Sequence, residues 1–384
     1  MLIPAEFDEI RPYTPEELPE VYEELIADPL FKEAVMTVHK DITFEALAQK
    51  LRVCQTNQEV QNTFFYPLIK GVMNAYTDGT DMNADNLDRS IRYTFISNHR
   101  DIVIDSAFLC VLLLDNQFPT TIEIAIGDNL LTRPWIKKIV RINKSFIVQR
   151  SLSMRQKLES SIRMSRYMHY AIQHKHENIW IAQREGRAKD SNDVTQDAVL
   201  KMMAMGGEGS TANSLRTLNI TPLTISYEYD PCDFLKAQEF QEKRDHPNFK
   251  KRKGDDLLNM NTGIFGYKGH VHYQTANCIN SWLDTIDCKM TKNEFFSKIA
   301  QHIDHEIHRN YRLYGTNYMA ADLVNGTTHF ASHYNSQEKV RFEEYINERI
   351  ALVKCDNPDP VFLREKLLWM YANPVFNYLK ATTA

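Results

Sequence analysis

The sequence lacks a long apolar run. Its most apolar stretch, residues 107–114 (AFLCVLLL), is far shorter than the roughly 20 apolar residues that a membrane-spanning helix needs. The first 25 residues are acidic and contain no apolar segment of the kind found in a secretory signal. We therefore expect neither a membrane span nor a secretory signal, and residues 107–114 predict a buried helix.

The sequence also lacks paired cysteines and an excess of positive charge. Six cysteines are scattered without a CxxC pair, at positions 54, 110, 232, 278, 288 and 355. This pattern favours reduced thiols in the cytoplasm over a disulfide framework. A formal net charge of -5 gives no reason to expect nucleic-acid binding. The chain of 384 residues is long enough for one large domain with additions or for two modest domains.

Strand-like and helical segments alternate between about residues 90 and 230. The strand-like segments are 93–97, 120–127, 145–148, 178–182 and 219–229, and helical patterns separate them. This alternation predicts an α/β fold with a mixed, largely parallel sheet flanked by helices.

Three regions follow from this pattern. We predict a helical N-terminal region over residues 1–85, an α/β core over 86–290 and a helical C-terminal region over 291–384. Within the core, the charged segment 242–256 predicts a loop, and residues 264–274 predict one or two closing strands.

A histidine lies directly after the strand-like segment 93–97, in Asn98-His99-Arg100-Asp101. The end of a strand lies at the rim of a sheet, where substrates have access. A nearby acid that accepts a hydrogen bond from one imidazole nitrogen fixes the tautomer and leaves the other nitrogen as a base. No enzyme nucleophile accompanies this pair in the sequence. The hydroxyl group of a substrate is therefore the expected nucleophile.

The string from His99 to Asp105 resembles the His-x4-Asp motif of the phospholipid and glycerol acyltransferase family, in which arginine often follows the histidine, as Arg100 does here. Three further blocks are similar to motifs of that family and occur in the same order. They are residues 146–150 (FIVQR), 185–187 (EGR) and 220–223 (ITPL). The resemblance covers about residues 90–275, and it implies the fold of 1-acyl-glycerol-3-phosphate acyltransferases.

The sequence departs from the family pattern in the first and third blocks, and Gln183-Arg184 replaces the Phe-Pro pair that precedes the third block in the family. Five residues, instead of four, separate His99 from Asp105. Asp101 is therefore a rival to Asp105 as the orienting acid, although Asp105 is favoured because a bulge absorbs one extra residue. The third block lacks the threonine of Glu-Gly-Thr-Arg, so that Arg187 directly follows Gly186.

The resemblance implies an O-acyltransferase that moves a fatty acyl group from acyl-CoA or acyl-carrier protein to a hydroxyl of glycerol phosphate or a lysophospholipid. His99 would be the general base, backbone N–H groups near a helix start would hold the oxyanion, and no cofactor or metal is implied. The residues implied to bind the substrates are Arg100, Arg150, Glu185, Gly186 and Arg187. The protein would be cytoplasmic and peripheral to the inner membrane face, because its acceptor or product is a lipid.

Other interpretations compete with this one. His302, His305 and His308 recur along one helical stretch, and two of them would suit a zinc-dependent hydrolase, although a solvated polar face explains them more simply. His270 and His272 alternate along a strand and favour an ordinary sheet face over metal binding.

Two further features remain open. The basic segment 250–253 fits either contact with anionic lipid headgroups or a solvated loop, and Pro222 predicts a sheet edge or the wall of a substrate groove. A non-catalytic lipid-binding relative of the family is the last alternative.

Overall fold

The computed structural model describes residues 3–38, 42–150, 152–286 and 290–383. Ser151, at which the sequence predicts the start of a long helix, and Cys288 lie outside these ranges. The strands are β1 (Gly79–Asn83), β2 (Thr94–Ser97), β3 (Ile122–Gly127), β4 (Ser145–Val148), β5 (Asn178–Ala182), β6 (Ile220–Tyr227) and β7 (His270–Thr275).

Helices occupy most of the remaining described chain. Those before β5 are α1 (Leu18–Ile26), α2 (Pro29–Val38), α3 (Phe44–Arg52), α4 (Asn57–Val60), α5 (Tyr66–Tyr76), α6 (Ile104–Asp115), α7 (Pro134–Ile142) and α8 (Met154–Tyr170). Those after β5 are α9 (Asp197–Met203), α10 (Thr211–Arg216), α11 (Asp233–Asp245), α12 (Asp255–Phe265), α13 (Asn280–Leu283), α14 (Lys292–Arg309), α15 (Gly315–Asn325), α16 (Ser336–Ala351) and α17 (Pro360–Thr383).

The strands form one sheet in the order β1-β7-β6-β2-β5-β3-β4. Every neighbouring pair is parallel except β6 and β7, which are antiparallel. The predicted α/β class with a mixed, largely parallel sheet is therefore confirmed. The carboxyl ends of β2 to β6 meet at one edge of this sheet, together with the amino ends of β1 and β7. We call this edge the C-terminal edge.

The central strands are buried because helices cover both faces of the sheet. Side chains alternate between the faces along each strand, as the two-residue period of a strand requires. Phe95 and Trp180 pack on the face covered by α5 and α6, whereas Ile96 and Ile179 pack on the face covered by α8, α9 and α14. The helices packed on both faces of the sheet therefore fix the backbone of β2 up to its last residue.

The helical flanks form two further apolar clusters. One joins α1, α3 and α7, and the other joins α11 with α15, α16 and α17. The strand β1 lies within the first predicted region, 1–85, where the sequence indicates only a turn after α5. It is polar and half-buried at the sheet edge, so it carries no apolar alternation by which a strand is recognised. The boundaries of the three predicted regions stay predictions.

The charge of segment 242–256 suggested a single loop, and this prediction is wrong. Its first residues belong to α11, which continues to Asp245, and its last residues begin α12 at Asp255. Residues 264–274 likewise contain the end of α12 and a single strand, β7. Charge is a poor guide here, because a helix that is largely exposed carries the same residues as a loop.

Pro222 lies inside the sheet and not at its edge. Its Cα pairs with Ile96 of β2, and the side chain is buried. Its carbonyl accepts a hydrogen bond of 2.9 Å from Ala276 N–H, so the nitrogen of Pro222 also faces the β7 side. The paired register with β7 begins only at Leu223 and Thr275. A proline is tolerated at this position because no ladder bond needs its missing N–H.

The apolar stretch 107–114 lies within α6, whose side chains are largely buried, so the predicted buried helix is confirmed. Within the described ranges, no helix has both the length and the apolar character that crossing a bilayer requires. The five cysteines in those ranges are free thiols.

Candidate active site

The end of β2 is held firmly up to the residue before His99. The side-chain amide of Asn98 donates to the carbonyl of Ile225 and accepts from the N–H of Ile225, both at 2.8 Å. The indole N–H of Trp180 donates to Ser97 Oγ at 2.9 Å. Asn98 thus extends the link between β2 and β6 by one residue, and His99 is the first residue beyond it.

His99 and Asp105 form a hydrogen-bonded pair at the C-terminal edge. The Nδ1 atom of His99 lies 2.8 Å from Oδ2 of Asp105. The side chain of His99 is 14% exposed, whereas that of Asp105 is fully buried. Because an ionised carboxylate only accepts hydrogen bonds, Nδ1 carries the proton and donates it. His99 Nε2 has no hydrogen bond to any residue of the described chain, and it is left as the basic nitrogen.

The carboxylate of Asp105 is fixed by three further donors. Oδ2 accepts from the backbone N–H groups of Arg100 at 2.6 Å and Asp101 at 3.0 Å. Oδ1 accepts from the hydroxyl of Tyr227 at 3.0 Å. The His99 ring also meets the Trp180 ring edge to face, with 5.4 Å between the ring centroids. These contacts hold both the acid and the imidazole in one orientation.

Asp101 does not contact His99 but caps the helix that follows it. Its Oδ1 accepts from the N–H groups of Val103 and Ile104, both at 2.8 Å, at the start of α6. Burial, together with the nearby charge of Asp105, raises the pKa of Asp101. Of the two candidate acids, the structure therefore places Asp105 against the histidine. The N–H groups of Val103 and Ile104 are occupied by Asp101, which removes them from the expected oxyanion donors.

Arg100 turns away from His99 into the interior. Its Nη2 lies 2.5 Å from Asp193 Oδ2 and 3.2 Å from the hydroxyl of Tyr311. The buried ammonium group of Lys236 donates to the Arg100 carbonyl at 3.1 Å. The structure thus gives Arg100 a buried ion pair that anchors the His99 loop, while its Nη1 has no hydrogen-bond partner in the described chain, and the substrate contact of its side chain stays a prediction.

Arg150 and Glu185 meet at the same edge from different loops. Arg150 follows β4 and Glu185 follows β5, and Arg150 Nη1 lies 3.6 Å from Glu185 Oε1. Both side chains are exposed, so this ion pair contributes little to stability and leaves both charges available to a ligand. A Cβ atom at Gly127 would lie only 2.9 Å from Arg150 Nε, which shows that Arg150 packs across the end of β3.

Arg187 turns inward toward the His99 loop. Its Nη2 donates to Asn259 Oδ1 at 2.9 Å, and its Nη1 is buried without a hydrogen-bond partner in the described chain. Burial opposes ionisation of Asp230, but Lys236 and then Arg187 lower the pKa of its carboxyl group. The preceding residue, Gly186, has φ 71°, a conformation that glycine adopts without strain.

The comparisons with known proteins found similarity at the level of structure. No protein-family model matches the chain, and no curated protein matches its sequence. The chain is similar in structure to the 1-acyl-sn-glycerophosphate acyltransferase PlsC of Thermotoga maritima. The two share 9% sequence identity over 76% of this chain and 97% of that chain, with a TM-score of 0.36. At these values the similarity assigns no activity, and the chemistry of the site has to carry the functional argument.

Several supporting residues of the site escaped the sequence analysis. Tyr227 is distant in sequence from Asp105, and nothing in its neighbourhood marks it. A usable signal was its position at the end of a buried strand, since the strands next to β2 end at the same edge. Asp193 and Lys236 lie in a loop and a helix without motif character, so only the tertiary structure identifies them.

The alternative histidine cluster does not converge on a metal site. His302 stacks on Trp282 with 3.8 Å between the ring centroids, and burial, with smaller effects from His305 and Arg309, lowers its pKa to about 4. His308 Nε2 hydrogen-bonds the carbonyl of Asp193 at 2.7 Å. In the described ranges, none of these histidines belongs to a group of three possible ligand residues. One side of this helix thus packs within the protein, and the other side faces solvent.

The two strand histidines are paired with acids. His270 Nδ1 lies 2.8 Å from Glu228 Oε2, and His272 Nδ1 lies 2.8 Å from Asp81 Oδ2. Asp78, Glu228 and His270 each bring one possible ligand atom within 4.8 Å of the others. The hydrogen bond between His270 and Glu228 already accounts for their approach.

Proposed function

We propose that the chain is an O-acyltransferase in which His99 is the general base. The observation that carries this proposal is the 2.8 Å hydrogen bond between His99 Nδ1 and Asp105, which leaves Nε2 basic at the rim of the sheet. In the described chain, no serine, threonine or cysteine side chain hydrogen-bonds His99. The base therefore acts on a hydroxyl that the substrate brings, as transfer to an alcohol requires.

The reaction proceeds by direct transfer between two substrates. His99 Nε2 removes the proton of the acceptor hydroxyl while the oxygen attacks the thioester carbonyl of acyl-CoA or acyl-carrier protein. The carbon–sulfur bond then breaks, and the imidazolium returns its proton to the leaving thiolate. The carboxylate of Asp105 stabilises the positive charge that His99 carries between these steps. Holding both substrates at one edge raises their effective concentration.

A phosphate-bearing acceptor suits the charges around His99. Arg150 and Arg187 follow β4 and β5 at the same edge as His99, and a guanidinium group matches the oxygens of a phosphate. Arg187 Nη1 has no partner in the described chain, which favours a ligand group there. We therefore propose glycerol phosphate or a lysophospholipid as the acceptor, with Glu185 orienting Arg150 and Gly186 giving the loop its turn.

A panel of acceptors tests the proposed function. Glycerol phosphate, lysophosphatidic acid and an uncharged monoacylglycerol would each be incubated with labelled acyl-CoA or acyl-carrier protein. We expect acyl transfer by the wild type and a loss of at least about 100-fold in His99→Ala. Binding of lysolipid without turnover would instead support a non-catalytic lipid-binding protein.

The role of Arg187 has its own readout in the same panel. Arg187→Ala should raise KM for a phosphorylated acceptor more than for the uncharged acceptor, because only the former loses a charge-assisted hydrogen bond. Equal effects on both acceptors would remove this role from Arg187.

A further inference from the structure

Helix α12 is held against the His99 loop by one face. A Cβ atom at Gly263 would lie 1.7 Å from Asp101 Oδ2, so the helix backbone approaches this carboxylate as closely as only glycine allows. One turn earlier, the side chain of Asn259 accepts the hydrogen bond from Arg187. The inner face of α12 is thus defined by Asn259 and Gly263.

The opposite face of α12 carries three exposed apolar side chains. Leu257, Leu258 and Phe265 are 61%, 52% and 43% exposed. At 3.6 residues per turn these three side chains lie within an arc of about 100° that is opposite to Gly263. A surface helix ordinarily buries its apolar side chains, as α12 does with Ile264, but these three side chains, which lie around the exposed Asn261, face solvent. A clustered apolar face of this kind marks an interaction surface.

A basic segment leads directly into this helix. Of its four cations, Lys251 pairs with Asp256 at 2.7 Å and Arg252 pairs with Glu242 at 2.5 Å. Lys250 and Lys253 are exposed and form no ion pair in the described chain. Two uncompensated positive charges therefore flank the apolar face at its amino-terminal end.

We propose that Lys250, Lys253, Leu257, Leu258 and Phe265, together the α12 surface, dock the protein on an anionic lipid bilayer. Exposed leucine and phenylalanine side chains beside lysines are the features of a helix that lies in the membrane interface. Since Gly263 contacts Asp101, the docked helix holds the His99 loop about 10 Å, one helix diameter, from the bilayer. This inference rests on the proposed function for its purpose, which is access to a membrane-borne acceptor.

Vesicle flotation tests the α12 surface. The wild type would be mixed with vesicles of phosphatidylcholine alone or of phosphatidylcholine and phosphatidylglycerol in equal parts. We expect binding to the anionic vesicles, reduced by at least about tenfold in Leu257→Ser/Leu258→Ser, which removes apolar insertion. Lys250→Glu should reduce it by at least about fivefold, the equivalent of about 1 kcal/mol for one lysine.

A matched control separates docking from a general loss of apolar surface. Val340 and Val361 are at least as exposed as Leu258 and belong to other helices, α16 and α17. Val340→Ser/Val361→Ser should bind vesicles like the wild type, and all variants should keep the wild-type unfolding temperature. Equal binding by the α12 variant and the wild type would overturn the proposal. So would a self-association in the absence of lipid that Leu257→Ser/Leu258→Ser abolishes.

Activity assays distinguish this inference from the proposed function. With a short-chain, water-soluble acceptor, the Leu257→Ser/Leu258→Ser variant should keep wild-type turnover, whereas it should lose turnover of an acceptor embedded in vesicles. If His99→Ala retained full activity while the α12 variant lost vesicle binding, the proposed function would fail and the docking surface would stand.

Discussion

The hydroxyl of Tyr227, at the end of β6, donates a 3.0 Å hydrogen bond to the Asp105 oxygen that does not face His99. The same carboxylate thus connects the neighbouring strands β2 and β6 at the point where the imidazole must be held. Burial, followed by the nearby charge of Asp105, raises the pKa of Tyr227 well above its ordinary value. Tyr227 is consequently a permanent donor, and Asp105 keeps one fixed orientation.

Replacing this donor should weaken catalysis without removing it. In Tyr227→Phe, Oδ1 of Asp105 loses its hydrogen bond in a buried setting, while His99 and Asp105 both remain. We expect kcat to fall by about 10- to 100-fold, as for partners that orient a catalytic group. KM should stay unchanged, and the pH profile of kcat should shift. A loss of stability with unchanged kcat would show that Tyr227 has a structural role alone.

Gly263→Ala should reduce both stability and activity, although Gly263 lies outside the active site. The new methyl group would overlap the carboxylate of Asp101, so either α12 or the cap of α6 must move. We expect a loss of about 1–3 kcal/mol in the free energy of unfolding, together with reduced acyl transfer. Chemical denaturation measures the former.

Gly71→Ala is the matched control for that change. Gly71 lies within α5, and a Cβ atom there would meet nothing within 4 Å. The same substitution should therefore stabilise the protein by up to about 1 kcal/mol, since alanine favours a helix more than glycine does. Destabilisation of both variants by the same amount would show that contact with Asp101 is not the cause.

Asp304 should give stability an unusual dependence on pH. Burial raises its pKa to about 6, although its side chain accepts hydrogen bonds from Thr195. Between about pH 4 and pH 6 the folded chain holds a proton that the unfolded chain releases, so this residue costs stability as the pH rises. In Asp304→Asn, which keeps an acceptor for Thr195, the free energy of unfolding should fall less across this range. An identical pH dependence in the two proteins would contradict the raised pKa.

Sequence patterns predicted the parts of the fold that depend on local periodicity. The buried strands and the helix over residues 107–114 carry such periodicity, and so does the position of His99 after a strand. The edge strand β1 and the helix α12 do not, because their residues lie partly in solvent and show no buried stripe. For the same reason the sequence placed a loop where α12 begins.

Sequence spacing alone could not identify the acid that faces His99, because the three-dimensional geometry of the loop decides it. Asp101 and Asp105 both follow the histidine closely, and only the turn before α6 decides between them. Asp101 accepts hydrogen bonds from two backbone N–H groups at the helix start, which leaves Asp105, in the first turn of α6, to meet the imidazole. The ion pair of Arg100 could not be predicted either, since no pattern in the sequence links this residue to Asp193.

The most direct test of the account compares two aspartate variants with the histidine variant in one acyl-transfer assay. The Asp105→Asn change would remove the negative charge that stabilises the imidazolium of His99, whereas Asp101→Asn keeps an acceptor for the start of α6. The account predicts that kcat/KM falls at least about 100-fold in His99→Ala and Asp105→Asn and less than about threefold in Asp101→Asn. Retained activity in His99→Ala, or equal losses in Asp105→Asn and Asp101→Asn, would contradict it.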